Sequence, residues 1–122
     1  MQKTLLIVED EVSLSEPLRI ALEKAGYAVR LAKNGKEGLE SVEELKPDLI
    51  LLDIMMPVMD GVTMLERLKQ GENKNIPVIM LTNNNDTQQL NYVLENGVTD
   101  YLIKSDWKLE DVIKKINEKL AQ

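Results

Sequence analysis

The sequence predicts an α/β protein in which a five-stranded parallel sheet is covered by helices on both faces. Short apolar runs of strand length occur five times along the chain, and amphipathic helical patterns lie between them. Strict alternation of these segments is typical of a parallel sheet. Right-handed crossovers with one reversal of winding then give a doubly wound fold.

Three of the five predicted strands are continuous apolar runs, which is typical of strands buried on both faces. They cover residues 4–8, 48–53 and 77–81. Residues 27–32 and 98–103 are weaker strand patterns, so we expect these two strands nearer the edges of the sheet.

Each predicted helix carries an apolar stripe at helical spacing. In the first helix, Ser13 and Glu16 have the spacing of a capping box, and Pro17 is expected in or near the first turn. Asp60 is predicted to cap the third helix, and Gly97 is predicted to end the fourth. The stripes of the second to fifth helices are Leu39-Val42-Leu45, Met64-Leu65-Leu68, Leu90-Val93-Leu94 and Leu109-Val112-Ile113-Ile116-Leu120.

The chain has 122 residues, a formal net charge of −6, and no Cys, His or Phe. This length predicts a single domain over residues 1–122. The lack of Cys and His excludes a disulfide scaffold, a thiolate zinc site and a histidine general base. A bound metal would therefore be held by oxygen, which favours Mg²⁺, Ca²⁺ or Mn²⁺.

The negative net charge argues against non-specific binding to nucleic acid or to an anionic membrane. No segment is apolar over the roughly 18 residues that a membrane span needs, and the N-terminus has no signal-peptide pattern. We therefore expect a cytoplasmic domain that binds neither nucleic acid nor a membrane directly.

Charged and hydroxyl side chains follow the predicted strands at the points where they end. The first strand ends in Glu9-Asp10-Glu11, the third in Asp53, the fourth in Thr82 and the fifth in Lys104. Ligands of an open α/β sheet bind beyond the carboxyl ends of the strands. We therefore expect three carboxylates, a hydroxyl and an ammonium group to meet at one edge of the sheet.

Crowded carboxylates repel each other, and a divalent cation such as Mg²⁺ relieves that repulsion while also holding a phosphate. A carboxylate beside the cation can attack phosphorus and form an acyl phosphate. Thr82 and Lys104 would donate hydrogen bonds to the phosphoryl oxygens. Because a carboxylate is already deprotonated, this chemistry needs no general base.

Together with Met56-Pro57 and Asp60-Gly61, these strand-end residues resemble the response-regulator receiver domain of two-component signalling. The resemblance covers the chain from Lys3 to about Leu120. It implies a flavodoxin-like (βα)5 fold with the strand order 2-1-3-4-5.

The resemblance implies that Asp53 is the phosphoacceptor and takes its phosphoryl group from a phosphohistidine on a histidine kinase or phosphotransfer protein. It implies Mg²⁺, or Mn²⁺, as the cofactor, and a phosphoacceptor that catalyses its own phosphorylation and dephosphorylation rather than an enzyme. The implied metal ligands are Glu9 through a water, Asp10, Asp53 and the backbone carbonyl of Met55.

The resemblance also implies a switch. Thr82 would move towards the phosphoryl group, Lys104 would pair with it, and Tyr101 would turn inward as the switch aromatic. A downstream protein would then bind the face formed by the fourth helix, the fifth strand and the fifth helix. Trp107 is expected to cover the start of the last helix, with a partner contact as the alternative.

Three positions depart from the family pattern. Glu9 stands where Asp is commoner, and Asn83 stands where a small residue is usual. Ser105 stands where the family usually has a proline in a cis peptide. A cis bond without proline costs about 3–4 kcal/mol, and a trans bond would aim Lys104 differently. Met55, Asn83 and Asn84 are expected to alter the lifetime of the phosphorylated state, in a direction that the sequence leaves open.

Other functions compete with the phosphoacceptor. One is a binding module that keeps the fold but signals without phosphorylation. A phosphohydrolase with an aspartate nucleophile usually has a second acid two residues later, where this chain has Met55. A flavin-binding electron carrier usually has a phosphate-binding loop after the first strand, where Glu9-Asp10-Glu11 would repel phosphate. The sequence therefore disfavours both. The sequence also leaves open whether this is a single-domain regulator or the receiver of a longer chain.

Overall fold

The computed structural model describes residues 2–83 and 85–121. Its strands and helices alternate along the chain as the sequence predicts. They are β1 (Thr4–Val8), α1 (Val12–Lys24), β2 (Ala28–Ala32), α2 (Gly35–Glu44), β3 (Leu49–Asp53), α3 (Gly61–Lys69), β4 (Val78–Thr82), α4 (Thr87–Glu95), β5 (Asp100–Ile103) and α5 (Leu109–Leu120).

The five strands form one parallel sheet in the order β2-β1-β3-β4-β5. Both the predicted fold and the predicted strand order are therefore confirmed. All residues of β3 and β4 are buried, whereas β2 and β5 at the two edges are only partly buried. This difference explains why the three central strands are continuous apolar runs and the edge strands are mixed.

Apolar side chains form a core on each face of the sheet. Because side chains alternate along a strand, Leu6 and Leu52 face α2, α3 and α4 on one side, whereas Leu5 and Leu51 face α1 and α5 on the other. None of the helices in the described part of the chain combines the length and apolar character that a membrane span requires.

The capping box suggested by the spacing of Ser13 and Glu16 does not form at the start of α1. The backbone carbonyl of Glu11 accepts hydrogen bonds from the N–H groups of Leu14 and Ser15, both at 3.0 Å, so the helix begins directly after the acidic run. Ser13 and Glu16 therefore lie inside the helix rather than in a capping box. Pro17 lies inside it too, beyond the first turn.

The apolar stripe predicted for the second helix is wrong at Leu45, because α2 ends at Glu44 and Leu45 is 58% exposed. The Arg30 guanidinium on β2 donates to the carbonyl oxygens of Ser41 and Leu45 at 3.1 and 3.0 Å. The Ser41 carbonyl also accepts the backbone N–H of Leu45 at 3.1 Å, so Arg30 adds a second hydrogen bond there and supplies one to the carbonyl of Leu45. The backbone of Leu45 is extended, and Pro47 two residues later cannot continue the helix, so Arg30 contacts the end of α2 rather than setting it.

The other two predicted helix ends are confirmed. Asp60 Oδ1 accepts the backbone N–H of Thr63 at 2.8 Å and caps α3. Gly97 has a φ of +102° just after α4, a backbone conformation that glycine adopts without steric cost.

Candidate functional site

The strand ends bring the predicted site residues to one edge of the sheet. Glu9 directly follows β1, and its N–H donates to the carbonyl of Ala32, the last residue of β2. Lys104 directly follows β5, and its N–H bonds to the carbonyl of Thr82 at 2.7 Å. Asp53 is the last residue of β3, in the centre of the sheet. The parallel ladder therefore positions the backbone of each of these residues.

Glu9, Asp10 and Asp53 form a cluster of carboxylates, each with an oxygen within 4.8 Å of the others. Glu9 and Asp53 are only 3% and 1% exposed, whereas Asp10 is exposed to solvent. Among the described residues, the buried Oδ1 atom of Asp53 has no hydrogen-bond partner. Three carboxylates this close together fit a hard cation such as Mg²⁺, which binds oxygen ligands.

The Lys104 ammonium lies between two of these carboxylates. Its Nζ is 2.6 Å from Glu9 Oε1, 3.1 Å from Asp53 Oδ2 and 3.9 Å from Glu11 Oε1. No peptide bond in the described residues is cis, so the bond between Lys104 and Ser105 is trans. The lysine reaches Asp53 without the proline that the family usually has at this position.

Burial and neighbouring charges shift the pKa values of Glu9, Asp53 and Lys104. Burial, reinforced by the Asp53 charge, raises the pKa of Glu9 to about 7 against the opposing hydrogen bond from Lys104. Burial also raises the pKa of Asp53, while the Lys104 charge opposes the shift. Burial acts to lower the pKa of Lys104, but the hydrogen bonds and charges of the two carboxylates outweigh it and raise that pKa.

Thr82 and Tyr101, the residues predicted to switch, lie on neighbouring strands. Thr82 ends β4 and is 1% exposed, so it is buried at the same sheet edge as Asp53. Tyr101 is 38% exposed on β5 and lines an open cavity of about 410 Å³ together with Trp107. The inward turn of Tyr101 stays a prediction, as does the Met55 carbonyl as a metal ligand.

The loop after Thr82 contains a buried acid that the sequence reasoning missed. Asp86 is 6% exposed, and its Oδ2 accepts the backbone N–H of Asn83 at 2.8 Å. An aspartate directly before a helical pattern is the signal that could have identified it. Asn83 itself is exposed, and its effect on the lifetime of the phosphorylated state stays a prediction. Asn84 lies outside the described residues.

The loop between β3 and α3 is tied closely to the phosphoacceptor candidate. Gly61 donates its N–H to the carbonyl of Ile54 at 2.8 Å, and Gly35 donates to the carbonyl of Met59 at the same distance. A Cβ atom at Gly61 would lie 2.1 Å from the carbonyl oxygen of Asp53. Only glycine therefore allows the start of α3 to approach the end of β3 so closely.

Val58 in this loop has a φ of +68° although its side chain is β-branched. Such a conformation costs about 1–2 kcal/mol for most residues, and asparagine tolerates it better. We expect Val58→Asn to raise the free energy of unfolding by about 1 kcal/mol in urea titrations, because the Val58 side chain is 79% exposed and loses little packing. Val12→Asn, at a comparably exposed helical position, should give no gain. Equal effects at both positions would contradict the strain at Val58.

Comparison with known proteins agrees with this geometry. The family model of the response regulator receiver domain matches residues 5–117. The DNA-binding response regulator MtrA of Mycolicibacterium paratuberculosis is 34% identical over 122 residues, which are 100% of this chain and 53% of MtrA. The chain thus spans about half the length of these curated relatives.

Two solved structures share the whole fold. The CheY-like response regulator receiver domain protein of Methanospirillum hungatei has a TM-score of 0.91 and 30% identity, over 99% of this chain and 95% of that one. The receiver domain of a signal transduction histidine kinase from Syntrophus aciditrophicus has a TM-score of 0.88 and 33% identity, over 98% and 90%. The chain therefore belongs to the response regulator receiver domain family of two-component signalling.

Proposed function

We propose that this receiver domain is a phosphoacceptor switch in which Asp53 takes a phosphoryl group from the phosphohistidine of a histidine kinase or phosphotransfer protein. One observation carries the proposal. Asp53 is buried at the centre of the sheet edge with Oδ2 held by Lys104 at 3.1 Å, while Oδ1 has no partner among the described residues. A carboxylate oriented in this way has one oxygen available as a nucleophile.

In the transfer, a carboxylate oxygen of Asp53 forms a bond to phosphorus while the bond between phosphorus and the donor's imidazole nitrogen breaks. The nitrogen keeps the electron pair of that bond. Lys104 would hydrogen-bond and neutralise the phosphoryl oxygens, and the Thr82 hydroxyl would donate a further hydrogen bond. The domain would catalyse both this step and the later hydrolysis of its own acyl phosphate, without acting as an enzyme on separate substrates.

Mg²⁺ fits this site, with Mn²⁺ as a substitute. Glu9 through a water, Asp10, Asp53 and the backbone carbonyl of Met55 would hold it, and the clustered oxygens of the three acids support the assignment. When bound, the cation supplies charge neutralisation for the phosphoryl oxygens. Lys104 offers a single positive charge for Glu9 and Asp53 together. Without the metal ion, the negative charge of the acidic cluster is therefore only partly neutralised.

Phosphorylation would then change an output surface. Thr82 would move towards the phosphoryl group, and Tyr101 would turn inward and reshape the face formed by α4, β5 and α5, to which a downstream protein would bind. We assign residues 1–122 to a single receiver unit of the cytoplasm that binds neither nucleic acid nor a membrane directly. The DNA binding in the name of MtrA belongs to a protein about twice as long.

The test is to incubate the protein with a small-molecule phosphodonor and Mg²⁺ and to measure its intact mass. We expect one phosphoryl adduct on the wild type and none on Asp53→Asn or after chelation of the metal. Asp48→Asn is the matched control, because Asp48 directly precedes the same strand and bonds to the Thr4 N–H instead. It should be phosphorylated like the wild type.

An adduct of equal yield on Asp53→Asn would contradict the assignment of the phosphoacceptor. A wild type that binds Mg²⁺ but forms no adduct would favour the alternative, a binding module that signals without phosphorylation. The exposed Asn83 beside Thr82 is the feature that motivates this second reading.

A further inference from the structure

A second charged cavity lies at the opposite edge of the sheet from Asp53. It encloses about 280 Å³ at the amino ends of β4 and β5. Three lysines line it: Lys69 from the last turn of α3, Lys74 from the loop before β4, and Lys119 from the last turn of α5. The cavity is therefore locally basic in a chain whose net charge is −6.

Two of these lysines have no carboxylate to neutralise them. In the described part of the chain, neither Lys69 nor Lys74 has an acidic oxygen within ion-pair distance. Lys69 Nζ instead donates to the backbone carbonyl of Lys74 at 3.3 Å. Lys119 is paired with Asp100 at 2.6 Å, although Asp100 also attracts Lys115. The cavity thus keeps an excess of about two positive charges.

Lysines near helix C-termini often do no more than complement the helix dipole. That role accounts for Lys69 and Lys119, which lie in the last turns of their helices. It does not account for Lys74, which lies in a loop and lines the same cavity. Asn75 and Thr99 add polar side chains to the lining, so the cavity offers hydrogen-bonding groups as well as charge.

We propose that this cavity binds a small polyanion with adjacent phosphate groups, of the pyrophosphate type. Two unpaired ammonium groups suit two phosphate groups held side by side, and charge-assisted hydrogen bonds of this kind are among the stronger ones. The repulsion from the acidic cluster is screened, because that cluster lies at the other end of the strands and charges separated by more than about 8 Å interact weakly at physiological salt.

The experiment is an NMR titration of the ¹⁵N-labelled full chain with pyrophosphate, at physiological ionic strength and without divalent cations. We expect saturable shifts of backbone amides around Lys74, Asn75 and Thr99. Lys69→Gln combined with Lys74→Gln should raise the Kd about tenfold or more. The corresponding double change to arginine keeps both charges and should retain binding.

Lys24→Gln combined with Lys46→Gln is the matched control. Lys24 also ends a helix, and Lys46 also lies in a loop before a strand, at the same edge of the sheet but outside the cavity. This pair removes the same net charge and should change the Kd by less than about twofold. A parallel titration with ADP distinguishes free diphosphate from diphosphate carried on a nucleoside, since both have the proposed chemistry.

Three results would overturn the proposal: shifts that do not saturate, equal weakening by both lysine pairs, or shifts confined to residues around Lys104. The glutamine variants replace exposed side chains, so circular dichroism should show an unchanged fold. The proposal is independent of phosphorylation at Asp53, and Asp53→Asn should bind pyrophosphate as the wild type does.

Discussion

Gly61→Ala is expected to destabilise the protein by about 3 kcal/mol or more, the upper range for overpacking a close contact. The added Cβ would lie 2.1 Å from the carbonyl oxygen of Asp53 and 3.0 Å from the Cα of Ile54, both backbone atoms that cannot rotate away. Either α3 must move outward or the end of β3 must shift. Urea unfolding monitored by circular dichroism measures the loss.

Gly71→Ala is the control for this change. Nothing lies within 4 Å of a Cβ placed at Gly71, and its backbone does not have a positive φ. We expect this variant to be as stable as the wild type or slightly more so, because alanine restricts the unfolded chain. Equal losses at both glycines would show that the contact with Asp53 is not responsible. Where Gly61→Ala still folds, its rate of phosphorylation should fall too, because the displaced backbone belongs to Asp53, the proposed phosphoacceptor.

Glu9→Gln is expected to stabilise the metal-free protein at high pH. The folded protein releases the Glu9 proton near pH 7, whereas the unfolded chain releases it near the ordinary value of 4.5. The wild type therefore loses stability as pH rises through that interval, by about 1.4 kcal/mol per pKa unit. Glutamine never ionises, so we expect a gain of about 3 kcal/mol at pH 8 and less than about 1 kcal/mol at pH 5.

The measurement is a pair of urea titrations at the two pH values in the presence of a chelator. Glu11→Gln serves as the control, because the Glu11 side chain is 61% exposed and lies 3.9 Å from Lys104. It should show little difference between the two pH values. A gain for Glu9→Gln that does not depend on pH would mean that burial of the Glu9 charge is not its cause.

Most of the fold follows from patterns that burial imposes on the sequence. The continuous apolar runs identify β1, β3 and β4 because both faces of these strands are covered. The strict alternation of strands and helices along the chain then predicts a parallel sheet. The site follows in turn, since residues at the carboxyl ends of neighbouring parallel strands must meet. Glu9, Asp53 and Lys104 are therefore found together as the sequence predicts.

Features that depend on tertiary contacts could not be predicted in the same way. Leu45 continues the apolar spacing of α2, but in the fold its backbone is extended and it is exposed, which spacing alone does not show. The pairing of Lys104 with both Glu9 and Asp53 depends on its side-chain conformation, which spacing does not specify.

The position of Lys104 after the last strand has a consequence for biosynthesis. A nascent chain that has emerged only as far as β4 already contains Glu9, Asp10 and Asp53, but not the lysine that joins two of them. Lys104 arrives only with β5, whose pairing with β4 holds its backbone N–H against the carbonyl of Thr82. Burying the two acids without a cation is costly. In the absence of a metal ion, β5 must therefore be synthesised before Lys104 can compensate the burial of Glu9 and Asp53. The last strand to be synthesised thus completes both the sheet and the site.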